Sequence, residues 1–158
     1  MAMLRSLLLL FIVFSMGNAE VKNCPYGWTN FGVQCYKFFS QTVNWVTAEK
    51  NCQRLDANLA SVHNKIEQDF LLSLLPSSTT RCWFGTHDGE QEGQWLWTDG
   101  TPYDYTYWAP GQPDNKGIEN LCFFIYNYLQ SYNFTSTNNR WNDAACLTSL
   151  GYVCAKYL

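Results

Sequence analysis

The chain has 158 residues, with 10 basic and 13 acidic side chains and a formal net charge of −3 at pH 7. It contains no basic run, which argues against nucleic acid or an anionic membrane surface as a partner. Charged residues make up only 15% of the chain and aromatic residues 17%. An average globular domain has about 25% charged residues, so uncharged polar side chains must cover much of this surface.

The N-terminus has the pattern of a secretory signal peptide. A basic residue precedes an unbroken apolar run over residues 7–14, and small residues follow at the −3 and −1 positions of a cleavage after Ala19. The alternative, a membrane anchor, is disfavoured because the run is much shorter than the roughly 20 apolar residues that span a bilayer. We therefore predict a signal peptide over residues 1–19, and a secreted chain whose residues 20–158 form one domain.

The first half of that domain predicts a strand followed by two helices. The aromatic segment 35–39 has the composition of a strand. Residues 44–55 place apolar side chains at helical intervals, which predicts a helix with one buried face. That face comprises Trp45, Ala48, Cys52 and Leu55. A second helix is expected to begin at Asn64, a favourable N-cap with Glu67 three residues on, and to end before Pro76.

The periodicity changes in the second half. Residues 83–85 and 95–97 are typical of short strands, and residues 121–128 and 152–156 also have strand composition. The intervening stretch 99–120 has little periodicity and several Gly and Pro residues, which predicts a long irregular loop. Ordered loops of that length are usually functional. Two helices followed by antiparallel strands around a large loop predict an α+β domain.

All seven cysteines lie after the signal peptide. In an oxidising compartment this number predicts three disulfides and one cysteine left over, although spacing alone does not fix the pairing. No Cys-x-x-Cys pair is present, which argues against a thiolate zinc site. The positions are Cys24, Cys35, Cys52, Cys82, Cys122, Cys146 and Cys154.

Oxygen-bearing side chains are concentrated around the predicted loop. Three carboxylates and two amides occur in Gln112-Pro113-Asp114, at Glu119 and in Trp141-Asn142-Asp143. Calcium takes six to eight oxygen ligands with flexible geometry, so ligands from separated segments suit it better than magnesium or zinc. The alternative is a polar loop that binds no metal.

Several short motifs follow one another along the chain: Cys24-Pro25-x-Gly27-Trp28, the aromatic segment at Cys35, Trp83-Phe84-Gly85, Trp95-x-Trp97-x-Asp99-Gly100, Gln112-Pro113-Asp114, Trp141-Asn142-Asp143 and the final pair of cysteines. In this order they resemble the motifs of the C-type lectin-like domain. The resemblance covers essentially all of residues 20–158, and among family members the chain looks most like secreted fish lectins and type II antifreeze proteins. It implies an α+β fold with two helices packed on antiparallel strands and a long calcium-binding loop.

The resemblance also implies a disulfide pairing. It leaves Cys82 as the odd cysteine, which would be either a buried inert thiol or the link in a disulfide-bonded homodimer. A nucleophilic role with His87 is a further alternative, but nothing nearby is arranged to activate the thiol. The implied pairs are Cys24–Cys35, Cys52–Cys154 and Cys122–Cys146.

The resemblance further implies a calcium site that also binds a sugar. Pro113 would follow a cis peptide bond, which X-Pro bonds adopt far more readily than others. Gln-Pro-Asp, in place of Glu-Pro-Asn, is similar to the galactose-type arrangement. The implied metal ligands are Gln112, Asp114, Glu119, Asn142 and Asp143; the same five residues and Trp141 would bind carbohydrate or a glycoprotein. An auxiliary calcium site would use Asp88, Glu92 and Asn115.

The chain departs from the family pattern in three places. Glu119 lies three residues before Cys122, where relatives usually have two. No aromatic residue follows Asp114 closely enough to stack on a galactose ring. An insertion over residues 126–139 is rich in Tyr, Asn, Ser and Thr, and could either supply contacts to a ligand or form a solvated loop. It contains a glycosylation sequon at Asn133.

The leading functional prediction is a secreted, calcium-dependent lectin, plausibly one of innate defence. An ice-binding protein is the alternative, weakly supported by Thr135-x-Thr137, whose hydroxyls would share a face of an extended segment. A non-sugar protein-binding domain is the third reading. We predict that the chain is not an enzyme, because His63 would lie just before the second helix, His87 in a turn, and no serine nucleophile motif accompanies them.

Overall fold

The structure is a computed structural model that describes residues 23–77, 79–91, 93–114, 121–128 and 138–158. Within these ranges no helix is long and apolar enough to cross a membrane. In chain order the elements are β1 (Thr29–Phe31), β2 (Gln34–Val43), α1 (Trp45–Gln53), β3 (Asn58–Leu59), α2 (Lys65–Ser73), β4 (Cys82–His87), β5 (Leu96–Trp97), β6 (Leu121–Tyr128), β7 (Asn138–Ala145) and β8 (Leu150–Tyr157).

The strands form one sheet, and the predicted α+β class is confirmed. The strand order is β1-β2-β8-β4-β6-β7, with β3 also paired to β8 and β5 to β4. All pairs are antiparallel except β4 with β8, which are parallel. The expectation of purely antiparallel strands is therefore wrong at this pair. The chain reaches β8 only after the long loop and the β6–β7 hairpin, and that long connection allows parallel entry.

Helix α1 begins as predicted and ends earlier. The Asn44 side chain accepts a hydrogen bond from the Thr47 amide at 2.8 Å, as an N-cap does. The helix stops at Gln53, and two residues after its C-cap Asp56 has a positive φ of 54°. Leu55 consequently lies beyond the helix and is 40% exposed, so its predicted place on the buried face is wrong.

A buried carboxylate joins α1 to β3. Glu49 is 7% exposed, and one of its oxygens accepts from the Leu59 amide at 2.8 Å. The other accepts from Asn58 Nδ2 at 2.8 Å and from Gln53 Nε2 at 2.9 Å. A buried carboxylate is tolerated only when it is hydrogen-bonded in this way. Sequence periodicity gave no sign of this link.

Helix α2 begins at the predicted N-cap. Asn64 Oδ1 accepts from the amides of Ile66 and Glu67, at 3.0 and 2.9 Å. Glu67 Oε2 accepts in turn from the His63 amide at 2.7 Å, which completes a reciprocal capping arrangement. The helix ends at Ser73, three residues before Pro76.

The structure contains the three disulfides implied by the family resemblance: Cys24–Cys35, Cys52–Cys154 and Cys122–Cys146. Cys82, in the central strand β4, has no exposed surface, and burial raises the pKa of its thiol. A disulfide between the Cys82 residues of two copies would require this strand to open. The geometry therefore favours the buried-thiol interpretation.

Strands β6 and β7 form a hairpin that reaches into the predicted insertion. Residues 126–128 pair with residues 138–140 in a regular antiparallel register. The insertion therefore does not begin as a solvated loop: its first and last residues extend the hairpin. Residues 129–137, which include Asn133 and Thr135-x-Thr137, lie outside the described ranges.

Candidate functional site

The loop that precedes Gln112 is fixed to strand β7 through the backbone of one residue. The Trp141 amide donates to the Tyr107 carbonyl at 3.0 Å, and the Trp141 carbonyl accepts from the Ala109 amide at 2.9 Å. The Gln112 amide then donates to the Ala109 carbonyl at 2.9 Å, closing a turn. These bonds bring the loop residues 112–114 to the strand that carries Asn142 and Asp143.

The side chain of Trp141 secures the same segment from the inside. Its Nε1 donates to Gln68 Oε1 of α2 at 3.0 Å. Three rings meet it edge-on, with centroid separations of 6.2 Å for Trp97, 5.6 Å for Tyr105 and 5.7 Å for Trp108. Trp141 is fully buried, which favours a role in positioning the loop over the predicted contact of its ring with a ligand.

Three of the five predicted ligands of the principal calcium site converge. The Gln112-Pro113 peptide bond is cis, and Gln112 Nε2 donates to Asp114 Oδ2 at 3.1 Å. The Asp114 amide donates to Gln112 Oε1 and to Asp143 Oδ1, each at 3.1 Å. The second of these bonds links the loop directly to β7.

The environment of the Asn142 side-chain oxygen is compatible with cation binding. Its Oδ1 is buried and has no hydrogen-bond partner in the described part of the chain, although buried acceptors are nearly always satisfied. It is adjacent in sequence to Asp143, which is 6% exposed. Amide and carboxylate oxygens together are the donor set that calcium prefers, so the residues present fit this ion.

The fifth predicted ligand of the principal calcium site is not among the described residues. Glu119 falls outside the described ranges. Within those ranges no group of three or more His, Cys, Asp and Glu side chains is placed to hold a metal. The described part of the candidate site contains two carboxylates, Asp114 and Asp143, and two amides, Gln112 and Asn142.

Only one residue of the predicted auxiliary site is described. Asp88 is 3% exposed, and its Oδ2 accepts from the Gly93 amide at 3.3 Å, which stabilises the turn between them. Glu92 and Asn115 lie outside the described ranges. His87, predicted in a turn, is instead the last residue of β4, because it still pairs with Leu96 of β5 and Cys122 of β6.

Sequence reasoning missed an aligned Ser, His and Asp. His63 Nε2 lies 3.1 Å from Ser61 Oγ, and Nδ1 lies 2.8 Å from Asp104 Oδ1. Ser61 Oγ also donates to Asp99 Oδ2 at 2.6 Å. No local motif could have revealed this, since His63 and Asp104 are 41 positions apart in the sequence.

The protons available to Ser61 and His63 indicate that the Ser-His-Asp alignment is structural and not catalytic. Because Ser61 gives its only proton to Asp99, it can only accept from His63. Satisfying every contact then requires protons on both ring nitrogens of His63. A nucleophilic serine must instead donate its proton to the imidazole, and Ser61 is only 4% exposed. The network therefore connects the start of α2 to the loop without activating a nucleophile.

With this geometry described, comparison with known proteins shows the family. Residues 41–156 match the Lectin C-type domain, and the chain belongs to this family. Its members are binding domains, and they generally depend on calcium. The predicted resemblance is thereby confirmed, together with the fold.

Relatives and solved structures agree with the more specific resemblance. The chain is 37% identical over 139 residues to the galactose-specific lectin nattectin of Thalassophryne nattereri, covering 86% of this chain and 82% of that protein. It is 39% identical over 132 residues to ladderlectin of Oncorhynchus mykiss, covering 81% and 65% respectively. The structure of the herring type II antifreeze protein superposes with a TM-score of 0.75 at 31% identity, covering 85% of this chain and 99% of that one.

Proposed function

We propose that the protein is a secreted, calcium-dependent lectin of galactose type. The observation that carries this proposal is the meeting of Gln112, Asp114 and Asp143 through hydrogen bonds. The residue before Asp143 in the chain, Asn142, has a buried side-chain oxygen without a partner among the described residues. The similarity to a galactose-specific lectin supports it further. The natural ligand would be a carbohydrate or the glycan of a glycoprotein.

Each proposed ligand side chain would act on both the ion and the sugar. Gln112, Asp114, Glu119, Asn142 and Asp143 would hold the calcium ion through their oxygens. When bound, calcium supplies positive charge and coordination positions that sugar hydroxyl oxygens can fill. The amide groups of Gln112 and Asn142 can donate to a hydroxyl, and the carboxylates can accept from one.

The order of residues around Pro113 underlies the proposed sugar preference. Gln112 places an amide donor before the proline, and Asp114 places a carboxylate acceptor after it. A Glu-Pro-Asn order would exchange these roles, so the two arrangements present donors and acceptors to a pair of vicinal hydroxyls in opposite order. Hydroxyls of different stereochemistry are therefore favoured by the two orders.

Affinity chromatography tests this proposal with a charge-matched variant. We expect the protein to be retained on galactose resin in calcium and released by a chelator. The double variant Gln112→Glu with Asp114→Asn preserves the net charge and exchanges donor with acceptor, so it should shift retention towards mannose resin. Passage of the unaltered protein through both resins, with calcium present, would refute the lectin proposal.

Acidification provides a second readout of the same site. Calcium binds to deprotonated carboxylates, so protons compete with it for Asp114, Glu119 and Asp143. Sugar retention should therefore decline as the pH falls towards 4. Chelator-sensitive retention that is undiminished at pH 4 would contradict this mechanism.

Ice binding is the second candidate, favoured by the structural similarity to the herring antifreeze protein. Faceted growth of ice crystals in the presence of the protein would support it, and rounded growth would exclude it. A chain that binds neither resin, leaves ice growth unchanged and melts at the same temperature with or without calcium would fit a protein-binding domain instead. None of these candidates requires catalysis.

The proposal includes processing and modification that are directly measurable. Secretion from eukaryotic cells should remove residues 1–19, so that N-terminal sequencing begins at Glu20. A glycan at Asn133 would add mass that a glycosidase removes. Occupation of the proposed auxiliary site by Asp88, Glu92 and Asn115 would appear as a second calcium equivalent in calorimetry.

A further inference from the structure

A second concave site shares no residue with the candidate calcium site. A cavity of about 410 Å³ opens between the β1–β2 turn, the start of α2, the segment 101–104 and the end of β8. Small-ligand pockets in proteins usually enclose about 300–1,000 Å³, so the cavity is large enough for one organic group.

Aromatic rings form its apolar walls. Phe31 and Tyr36 line the cavity, and both pack on Phe70, at centroid separations of 4.4 and 5.2 Å, which fixes their positions. Tyr157 also lines the cavity and is 66% exposed. Phe31, stacked on Phe70, and the exposed Tyr157 are therefore the rings available to a group that enters.

The charged side chains that line the cavity are acidic, apart from one histidine. Glu67 and Asp104 line it, and no lysine or arginine does. His63, the only basic side chain present, is hydrogen-bonded to Asp104. Negative charge here also acts on Tyr36, whose pKa is raised first by burial and then by Glu67.

Both carboxylates retain capacity for another donor. The two Glu67 oxygens accept from the His63 amide and from Asn64 Nδ2, while a carboxylate offers about four lone-pair sites. The Asp104 side chain is 56% exposed. The donors near the cavity are already used: Asn64 accepts from the amides at the start of α2, and both ring nitrogens of His63 are hydrogen-bonded.

We propose that this cavity binds an organic cation, an alkylammonium or guanidinium group. The carboxylates Glu67 and Asp104 would accept its N–H groups, and the rings of Tyr157 and Phe31 would contact its face or stem. Guanidinium suits the site better than ammonium, since its planar fork donates to a carboxylate while its faces stack on aromatic rings. The source would be either a free amine or a Lys or Arg side chain of a partner protein.

NMR titration tests the proposal without involving the calcium site. We expect agmatine and N-acetyl-arginine amide to cause saturable shifts in the backbone amides of Val33, Thr101 and Asp104, equally in calcium and in chelator. N-acetyl-citrulline amide, a neutral isostere, should cause none. Persistence in chelator makes the outcome independent of whether the protein is a lectin.

A matched pair of variants identifies the site. Asp104→Asn should weaken arginine-amide binding by about threefold or more, the scale expected of an exposed ionic or cation–π contact. Asp69→Asn is the control, since its side chain is equally exposed, at 57%, and also paired with a base, but lies outside the cavity. Tyr157→Leu, which keeps apolar bulk and removes the ring, should also weaken binding.

Titration with a short peptide distinguishes a free amine from an arginine side chain of a partner protein as the source of the cation. A capped Ala-Arg-Ala peptide that binds several-fold more tightly than agmatine identifies a protein side chain, and equal binding identifies a free amine. Equal shifts with the citrulline derivative, equal losses in Asp104→Asn and Asp69→Asn, or no saturation with any probe would overturn the proposal.

Discussion

The two halves of the sheet differ in how completely their polar atoms are satisfied. The half formed by β1, β2 and β8, with α1 and β3, contains two disulfides and a buried carboxylate, Glu49, that accepts three hydrogen bonds. In the described part of the chain, every buried side-chain polar atom without a partner lies between residues 86 and 142. Examples are Thr86 Oγ1, Thr98 Oγ1, Tyr105 Oη and Asn142 Oδ1.

This difference separates a region built for stability from one built for binding. Leaving a buried donor or acceptor unsatisfied costs about 1–3 kcal/mol, so a region with several such atoms depends on the rest of the fold. Asn142 lies among the proposed calcium ligands, where a bound cation would satisfy its oxygen. The β1–β2–β8 half provides the stability that the loop half lacks.

Removing disulfides should produce the largest effect and should show which half provides stability. Cys52 and Cys154 are 102 residues apart, so the double change to Ala should lower the free energy of unfolding by about 4–5 kcal/mol in the chain-entropy model. Cys122 and Cys146 are only 24 apart, and their loss should cost about 3–4 kcal/mol. Denaturant unfolding measures both.

The second disulfide variant also has a functional readout. Cys122 in β6 and Cys146, just after β7, join the ends of the hairpin that carries Asn142 and Asp143. We expect their removal to weaken sugar retention out of proportion to the stability lost. Equal unfolding costs for the two pairs, or unchanged retention, would contradict the division into two regions.

Calcium binding to the loop half should have the second-largest effect on stability, after removal of the disulfides. A ligand that binds only the native state adds about 2.7 kcal/mol at one hundred times its dissociation constant. The melting temperature should therefore rise with calcium and fall again in chelator. Asp143→Asn should abolish this rise, whereas Asp69→Asn, an exposed carboxylate on α2, should preserve it. A rise that persists in Asp143→Asn would place the ion elsewhere.

The contact between Gln68 of α2 and Trp141 of β7 tests how the loop half is held in place. Gln68→Met preserves the volume of the side chain but removes the acceptor of Trp141 Nε1, which should cost about 1–3 kcal/mol. Because Trp141 fixes the loop backbone, calcium affinity should fall as well. Glu49→Gln is the control in the other half, with a similar cost and no change in calcium affinity. Equal effects of both variants on calcium binding would refute the positioning role of Trp141.

The sequence predicted the first half of the molecule well because its signals are local. Asn44 and Asn64 are N-caps in the sequence and in the structure, since capping depends on residues within one turn. The candidate calcium ligands were predicted from short motifs, and the structure brings three of these residues together: Gln112, Asp114 and Asp143. Side-chain chemistry at short spacing is therefore readable from sequence.

The sequence could not predict what depends on distant partners. Trp141 belongs to a recognisable motif, but whether its ring faces a ligand or the core depends on Gln68, 73 positions away. The His63–Asp104 contact and the β4–β8 pairing are similarly nonlocal. The cavity between the start of α2 and the end of β8 leaves no periodic or compositional signal at all.

The smallest expected effect concerns the ion pair between His63, just before α2, and Asp104. A hydrogen bond from His63, beside α2, lowers the pKa of Asp104 in the loop. Since the folded value lies below the unfolded one, this contact adds stability above the unfolded pKa and loses it as the pH falls through the folded pKa. In His63→Ala the Asp104 carboxyl should titrate at a higher pH, as followed by its carboxyl carbon resonance. If the Asp104 carboxyl titrates at the same pH in His63→Ala as in the unaltered protein, this contact does not set its pKa.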